Sequence, residues 1–260
     1  VSAFDYLGQG IRTIESGLLH SCAITNDGQL YCWGNNADGQ VGNGNPSGWS
    51  TVINVPLDLD PNVTAESVAL GNWHTCAILN DGSVKCWGWN SFGQLGDGTT
   101  TSRDTPVSVT LGSEAVSITS GGFHTCVILA DGELNCWGSN GSGEIGDGTT
   151  TDRTSPTAVD VGAGMTAVSV EGGDNHTCAI LNDGSVNCWG ENGHNQIGDG
   201  TETDRHTPTA VDLGANMTAL SVEAAGRRHQ CAVLNDRSVK CWGANSYGQV
   251  GDGTGTDRTS

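Results

Sequence analysis

Ten cysteines stand in five pairs, at 22 and 32, 76 and 86, 126 and 136, 178 and 188, and 231 and 241, and every pair has the same internal spacing. The first cysteines of successive pairs lie 54, 50, 52 and 53 residues apart. A period of that length marks an array of supersecondary units, each burying its apolar side against a neighbour. Around each pair runs one pattern, clearest from His176 to Gly190 as H-T-C-A-I-L-N-D-G-S-V-N-C-W-G. It continues into G-D-G-T and then into Arg, Thr, Pro and an apolar stretch.

The centre of the unit reads as a hairpin. Two short β-prone runs, holding Cys178 and Ile180 on one side and Val186 and Cys188 on the other, flank Asn182-Asp183-Gly184. A three-residue hairpin loop uses a type I turn followed by a glycine in the left-handed region. That loop sets Leu181 opposite Ser185 and therefore Cys178 opposite Cys188; a two-residue loop would put Cys178 opposite Trp189. The same register pairs Cys22 with Cys32, Cys76 with Cys86, Cys126 with Cys136, and Cys231 with Cys241. Zinc ligands usually sit two to four residues apart, which these pairs do not, and no redox C-x-x-C occurs. Five structural disulfides and an oxidising, extracellular or cell-surface location are the expectation.

One further strand precedes each histidine (Ala167 to Glu171), and another follows each proline (Thr157 to Val161). Four short antiparallel strands per repeat, five times over, predict an all-β propeller occupying residues 1–260 as a single domain; a solenoid is the structural competitor. Glycine at 40 residues, without a collagen triplet, agrees with many tight turns. The segments Gly71-Asn72-Trp73-His74-Thr75 and Cys86-Trp87-Gly88-Trp89-Asn90-Ser91-Phe92-Gly93-Gln94-Leu95-Gly96 resemble the repeat of the regulator of chromosome condensation family, and the resemblance extends over the whole chain. It implies propellers that usually have seven blades and serve as exchange factors, enzyme inhibitors, light sensors and parts of ligases. Five repeats then read either as a window of a seven-bladed propeller or as a ring closed by the N-terminal strand, since Val1-Ser2 matches Val107-Ser108.

Formal charge is −19, with lysine only at 85 and 240 against 29 carboxylates. Nucleic-acid affinity rests on neutralising phosphates with Lys and Arg, so no nucleic-acid partner is expected. No apolar run reaches membrane-span length. The repeated histidines (His20, His74, His124, His176, His229) read as a hydrogen-bonding element of the fold, and the repeated tryptophans (Trp33, Trp87, Trp137, Trp189, Trp242) as packing between blades. In Gly-Asp-Gly-Thr, Asp97, Asp147, Asp199 and Asp252 (Asn43 in the first repeat) hint at calcium, but one carboxylate per turn falls short of six to eight oxygens. No cofactor is expected. The couples Asp152-Arg153, Asp204-Arg205 and Asp257-Arg258 read as inter-blade bridges or solvated charges. Sequons stand at Asn62, Asn140, Asn175 and Asn216; Asn62 and Asn216, outside the repeat pattern, are the candidate glycosylation sites. Arg237 replaces the fifth hairpin glycine, and Asn195 replaces a loop glycine in the fourth repeat.

Positions identical in every repeat serve architecture, and the varying positions between them are free to specialise. Before the histidine stand Leu19, Trp73, Phe123, Asn175 and Arg228. After Cys-Trp-Gly come Asn35, Trp89, Ser139, Glu191 and Ala244, and three residues further on Asp38, Phe92, Ser142, His194 and Tyr247. Aromatics and arginine are favoured at binding hot spots, so Trp73, Trp89, Phe92, Phe123, Tyr247, Arg227 and Arg228 are the candidate contact face, with Trp49, in an insertion of the first repeat, a further exposed aromatic. No nucleophile elbow, phosphate loop or cofactor fingerprint appears. The leading expectation is a non-enzymatic propeller at the cell surface, binding a protein or glycan. A self-assembling module of a surface layer or filament, or a secreted enzyme inhibitor, hydrolase or lyase, are the alternatives.

Overall fold

The computed structural model describes residues 10–46, 48–50, 56–223 and 228–259. All elements among them are strands, and each repeat forms its own antiparallel meander. The first sheet is β1 (Ile11–Ser16), β2 (His20–Thr25), β3 (Leu30–Asn35) and β4 (Trp49–Ser50). The second is β5 (Ala65–Leu70), β6 (His74–Leu79), β7 (Val84–Gly88) and β8 (Arg103–Val109). The third holds β9 (Ala115–Ser120), β10 (His124–Leu129), β11 (Leu134–Gly138) and β12 (Arg153–Ala158). The fourth holds β13 (Ala167–Gly172), β14 (His176–Leu181), β15 (Val186–Gly190) and β16 (Arg205–Ala210). The fifth holds β17 (Ala219–Glu223), β18 (His229–Leu234) and β19 (Val239–Gly243), with Arg258 bridged to Gly243. Five sheets of this kind, packed side by side, are the blades of a propeller.

The hairpin register is the one that the turn rule requires. Cys178 faces Cys188, Leu181 N–H donates to Ser185 O at 2.9 Å, and the other four pairs follow suit. All five disulfides form within their blades. Arg237 adopts φ 72° at the glycine position and Asn195 φ 63°, left-handed conformations that cost a side chain such as arginine some strain. The expected outermost strand, 157–161, needs correction: it starts at the arginine, as Arg153–Ala158, with Pro156 inside it. An outermost strand bonds on one side only, so the missing proline N–H breaks no ladder. Residues 1–9, on which the ring-closure expectation falls, lie outside the described residues.

Cohesion comes from between the blades. Among the described residues four apolar cores lie at the junctions of successive sheets; one combines Cys22, Ile24 and Leu30 of the first blade with Ala77, Leu79 and Trp87 of the second. Trp87, Trp137, Trp189 and Trp242 are 0 % exposed. Each indole N–H donates to a backbone carbonyl of the preceding blade: Trp87 to Gln40 O at 3.0 Å, Trp137 to Gln94 O at 2.9 Å, Trp189 to Glu144 O at 2.8 Å and Trp242 to Gln196 O at 3.0 Å. The indole lies on a glycine, and a Cβ on Gly96 would stand 2.7 Å from Trp137 Nε1. A tryptophan is fully buried here because both its area and its one donor are satisfied.

The histidines form a second seam. His20, His74 and His124 point Nε2 at the hydroxyls of Thr75, Thr125 and Thr177 in the next blade, at 2.8, 3.0 and 2.8 Å, and His176 meets Gln230. Each threonine hydroxyl already donates to the same carbonyl as the tryptophan, as Thr125 does to Gln94 O at 3.0 Å. The hydroxyl therefore accepts from histidine, which places the imidazole proton on Nε2. Burial lowers His20 and His124 to about 4 and His74 and His176 to about 3, so all four rings are neutral at pH 7. At the opposite edge, Ala115 N–H donates to Gly82 O of the preceding blade and Ala130 N–H to Glu114 O, both at 2.9 Å, a backbone clasp repeated at each junction.

Thr125→Val keeps the volume but leaves His74 Nε2–H without its acceptor in a sealed junction. A loss of about 2–3 kcal/mol is expected from that orphaned donor, read as the shift in urea midpoint at constant m-value. The same substitution in a His74→Phe background gives the reference for the substitution itself, and equal losses in both backgrounds would remove the histidine seam from the account.

Burial differs at the first and last blades. Val239 is 66 % exposed, whereas its counterparts Leu30, Val84, Leu134 and Val186 are between 0 % and 1 %. Trp33 is likewise part-exposed where the other four tryptophans are sealed.

Candidate functional site

Strand direction gives the propeller two unlike ends. The β-hairpins and the starts of the innermost strands lie at one; the residues before each histidine and the long loops after Cys-Trp-Gly lie at the other. The loops of this second end are rigid for a local reason. Asn90 is 0 % exposed; its Nδ2 donates to Asp97 Oδ1 and to Thr99 O and Thr101 O, while its Oδ1 accepts from Leu95 N–H at 2.9 Å. Asp97 Oδ1 also accepts from Thr99, and its Oδ2 receives Arg103 at 2.7 Å. Asn140, Asn192 and Asn245 repeat the arrangement.

For the arginines of the Asp-Arg couples the expected inter-blade bridges are corrected by this network, whereas Asp257 does bridge blades, to His194 at 3.2 Å. Arg153, Arg205 and Arg258 close on Asp147, Asp199 and Asp252 of their own loops, and Asp152, Asp204 and Asp257 accept from the backbone N–H of Asn140, Asn192 and Asn245. Six residues separate each arginine from its carboxylate, so the loop staples itself. The loop carboxylates named for calcium are thus occupied by N–H and O–H donors. Asn140, one of the four sequons, is buried with its amide engaged, whereas Asn62 and Asn216 are exposed, at φ 68° and 62°.

On this frame the variable positions fall together across blade junctions. Trp89 and Phe92 of the second blade meet Phe123 of the third, with ring centroids 5.2, 5.4 and 5.8 Å apart and planes 72–79° from one another. Edge-to-face packing this close leaves no room for a cation between the rings, so the three make a compact apolar cluster rather than a cage. All three rings are part-exposed, as is Trp73, which stands before His74 on the same end but makes no ring contact with them.

At the junction of the fourth and fifth blades the same positions are polar. Arg228 donates to His194 Nε2 at 2.8 Å and approaches Glu191 at 3.7 Å; His194 Nδ1–H donates to Asp257 Oδ2 at 3.2 Å. With its Nε2 lone pair held by a guanidinium, His194 is committed to the ion network. His194, Arg228 and Tyr247, which is 94 % exposed, border a cavity of about 450 Å³. Arg227 lies outside the described residues. Trp49, in the insertion, is 66 % exposed.

Other residues of this end carried no repeat signal. Asn72 Nδ2 donates to Asp174 Oδ1 at 2.9 Å, and Gly122 N–H donates to Gly173 O and Asp174 O, which draws three blades together over the axis. A Cβ on Gly122 would stand 2.4 Å from Asp174 Oδ1; the Gly-Gly steps at 121–122 and 172–173 were the legible sign of that approach. Inside the axis Glu171 is raised to about 7 by burial and by the charges of Glu223 and Glu15, and Glu15 is raised in turn by burial and Glu223. Glu144, a glutamine position in every other blade, is raised to about 7, chiefly by burial.

Residues 3–260 match the model of the RCC1-like domain. The ultraviolet-B receptor UVR8 of Arabidopsis thaliana is 32 % identical over 253 residues, covering 96 % of this chain and 57 % of the receptor. The human E3 ubiquitin-protein ligase HERC2 is 27 % identical over 95 % of this chain, which spans 4 % of the ligase. Among solved structures, human WBSCR16 superposes with a TM-score of 0.84 at 21 % identity, covering 96 % of this chain and 65 % of that one. Yeast Prp20p, studied for its binding to Gsp1p and histones, gives 0.84 at 20 % identity, covering 97 % and 63 %. The ectodomain of the Physcomitrella patens receptor kinase CR4 gives 0.52 at 22 % identity, covering 91 % and 62 %.

Proposed function

Because the chain belongs to the RCC1-like domain family, whose propellers serve protein interaction, we propose that it is an extracellular or cell-surface binding propeller that takes a protein partner on its histidine-side loops. The observation that carries this reading is the aromatic cluster of Trp89, Phe92 and Phe123. It is assembled across two blades from positions that the architecture leaves free, since the same positions elsewhere hold Ser139, Ser142 and Asn175. Aromatic side chains on a rigid loop frame lose little conformational entropy on binding and bury large area, which is the character of hot-spot residues. Trp73, Arg228 and Tyr247 border the same end and supply a rim of one aromatic, one guanidinium and one phenol. The oxidising location is supported by five intra-blade disulfides, and the fold is one that occurs in a receptor ectodomain. As in its relatives, the fold leaves the partner's identity to the loops.

The test is affinity capture from surface extracts of the producing cells, comparing the chain with the Trp73→Ala, Trp89→Ala, Phe92→Ala variant. A partner bound by the parent should be weakened at least 30-fold in the variant, on about 2 kcal/mol for a hot-spot aromatic, with near-ultraviolet circular dichroism confirming that the disulfide-linked blades persist. Equal capture by both proteins would sink the assignment of this face. Retention of a glycan in place of a protein would replace the partner class.

A further inference from the structure

We propose that the hairpin-side mouth of the propeller is a second docking surface, which takes a protein segment carrying aliphatic side chains between lysines or arginines. Val116, Val168 and Leu220 are 62, 63 and 51 % exposed. Each is the second residue of an innermost strand, β9, β13 or β17, directly after a buried alanine, and each falls in the register skip between that alanine and the next paired serine. A side chain at such a bulge leaves the ladder and turns outward. These innermost strands are neighbours around the axis, so the three side chains form one apolar arc on the rim.

Architecture does not ask for apolar residues there. The first two blades have the same skip and fill it with Arg12 and Glu66, which hydrogen-bond to each other at 3.1 Å. The ion pair and the apolar arc are alternative contents of one structural position, and three consecutive blades carry the content that water disfavours.

What surrounds the arc defines the occupant. The hairpins of the same mouth carry Asp81, Asp131, Asp183 and Asp236, all exposed, each with Oδ1 accepting the backbone N–H two residues on. The hydroxyls of Ser83, Ser185 and Ser238, with those turn bonds, hold Asp81, Asp183 and Asp236 below the usual carboxylate range. Glu114 and Glu133 add exposed carboxylates. Of the bases on this side among the described residues, Arg12 is held by Glu66, Lys85 by Asp60 at 2.8 Å and Lys240 by the Asp212 carbonyl at 2.8 Å; Arg237, at one hairpin tip, is the exposed exception. An apolar arc ringed by carboxylates complements aliphatic side chains spaced between cations, with the charges guiding approach and the arc supplying burial.

The probe is a fluorescein-labelled nonapeptide of alternating lysine and leucine, compared by anisotropy at 150 mM salt with one in which serine replaces every leucine. Charge is equal, so the difference reads the arc. The leucine peptide should bind at least tenfold more tightly. The Val116→Asn, Val168→Asn, Leu220→Asn variant should bring both peptides to the same affinity, while the Trp89→Ala, Phe92→Ala variant keeps the tenfold difference. The proposal is overturned if the parent does not distinguish the peptides, if the triple variant still does, or if the aromatic variant abolishes the difference. Since the aromatic variant alone tests the loop face, failure here leaves that reading untouched.

Discussion

Once its five disulfides are reduced in denaturant, the chain is expected not to refold when the denaturant is removed. Each bridge closes a sequence separation of 10 residues, and a loop of that size contributes roughly 2.5–3 kcal/mol in the chain-entropy treatment. Five of them sum to about 12–15 kcal/mol, as large as the whole stability of an ordinary domain, about 5–15 kcal/mol. Each hairpin is also the central pair of its sheet, so a frayed hairpin loses the tryptophan seat, the histidine contact and the apolar junction with both neighbours. The check is near-ultraviolet circular dichroism of reduced, alkylated protein in buffer; recovery of the oxidised spectrum would show that inter-blade packing suffices. Under native conditions the bridges should yield unequally. Cys76, Cys86, Cys126, Cys136, Cys178 and Cys188 are 0 % exposed, whereas Cys231 and Cys241 are part-exposed. Mild reductant followed by alkylation and mass analysis should tag that pair first.

Acidification from pH 7 to pH 5 is expected to cost roughly 3–4 kcal/mol net, the sum of two opposed effects. His20, His74, His124 and His176 have native values near 3 to 4 against an ordinary value of 6.5. A lowered value means that the unfolded chain takes up the proton first, so the stability these rings contribute is complete above pH 6.5 and is lost as pH falls toward 4. At pH 5 that is about 2 kcal/mol per ring, or about 8 for four. Glu144 and Glu171 act in the other direction. Their native values near 7 lie above the ordinary 4.5, so protonation in the same window favours the native state, by about 2 kcal/mol each. The loss should therefore be shallow between pH 7 and 6 and steepen below 5, where the glutamates are already protonated and the histidines still resist. Urea unfolding at half-unit intervals measures it, and unchanged or rising stability down to pH 4.5 would contradict the neutral histidine seam. Glu171→Gln separates the two effects: it should leave the histidine slope in place and raise stability at pH 8, where Glu171 is ionised beside Glu15 and Glu223.

The binding face shows where a repeat sequence stops being informative. Aligning the five repeats singled out Trp89, Phe92 and Phe123, because variation within a fixed frame is visible without structure. That these three meet each other, that Trp73 stands apart from them, and that Arg228 reaches His194 rather than open solvent were not visible, since each contact joins neighbouring blades. Asn72 and Asp174, 102 residues apart, could not be paired by any local pattern.

The features legible before folding are those that depend on a few consecutive residues. Asn182-Asp183-Gly184 selects a turn, the turn sets the register, and the register brings Cys178 to Cys188 and, by repetition, all five pairs together. The period and the repeated Cys-Trp-Gly gave the blade and its place in a propeller for the same reason. Tertiary structure alone decided which outward side chains share a junction, because that depends on the rotation from one blade to the next, and this rotation comes from packing indoles on glycines and histidines on threonines rather than from any one residue's preference. It also decided the partners of the loop arginines. Arg153 and Asp152 are adjacent in sequence, yet the loop folds so that Arg153 meets Asp147 and Asp152 holds the Asn140 amide, a choice made by loop closure around a buried asparagine.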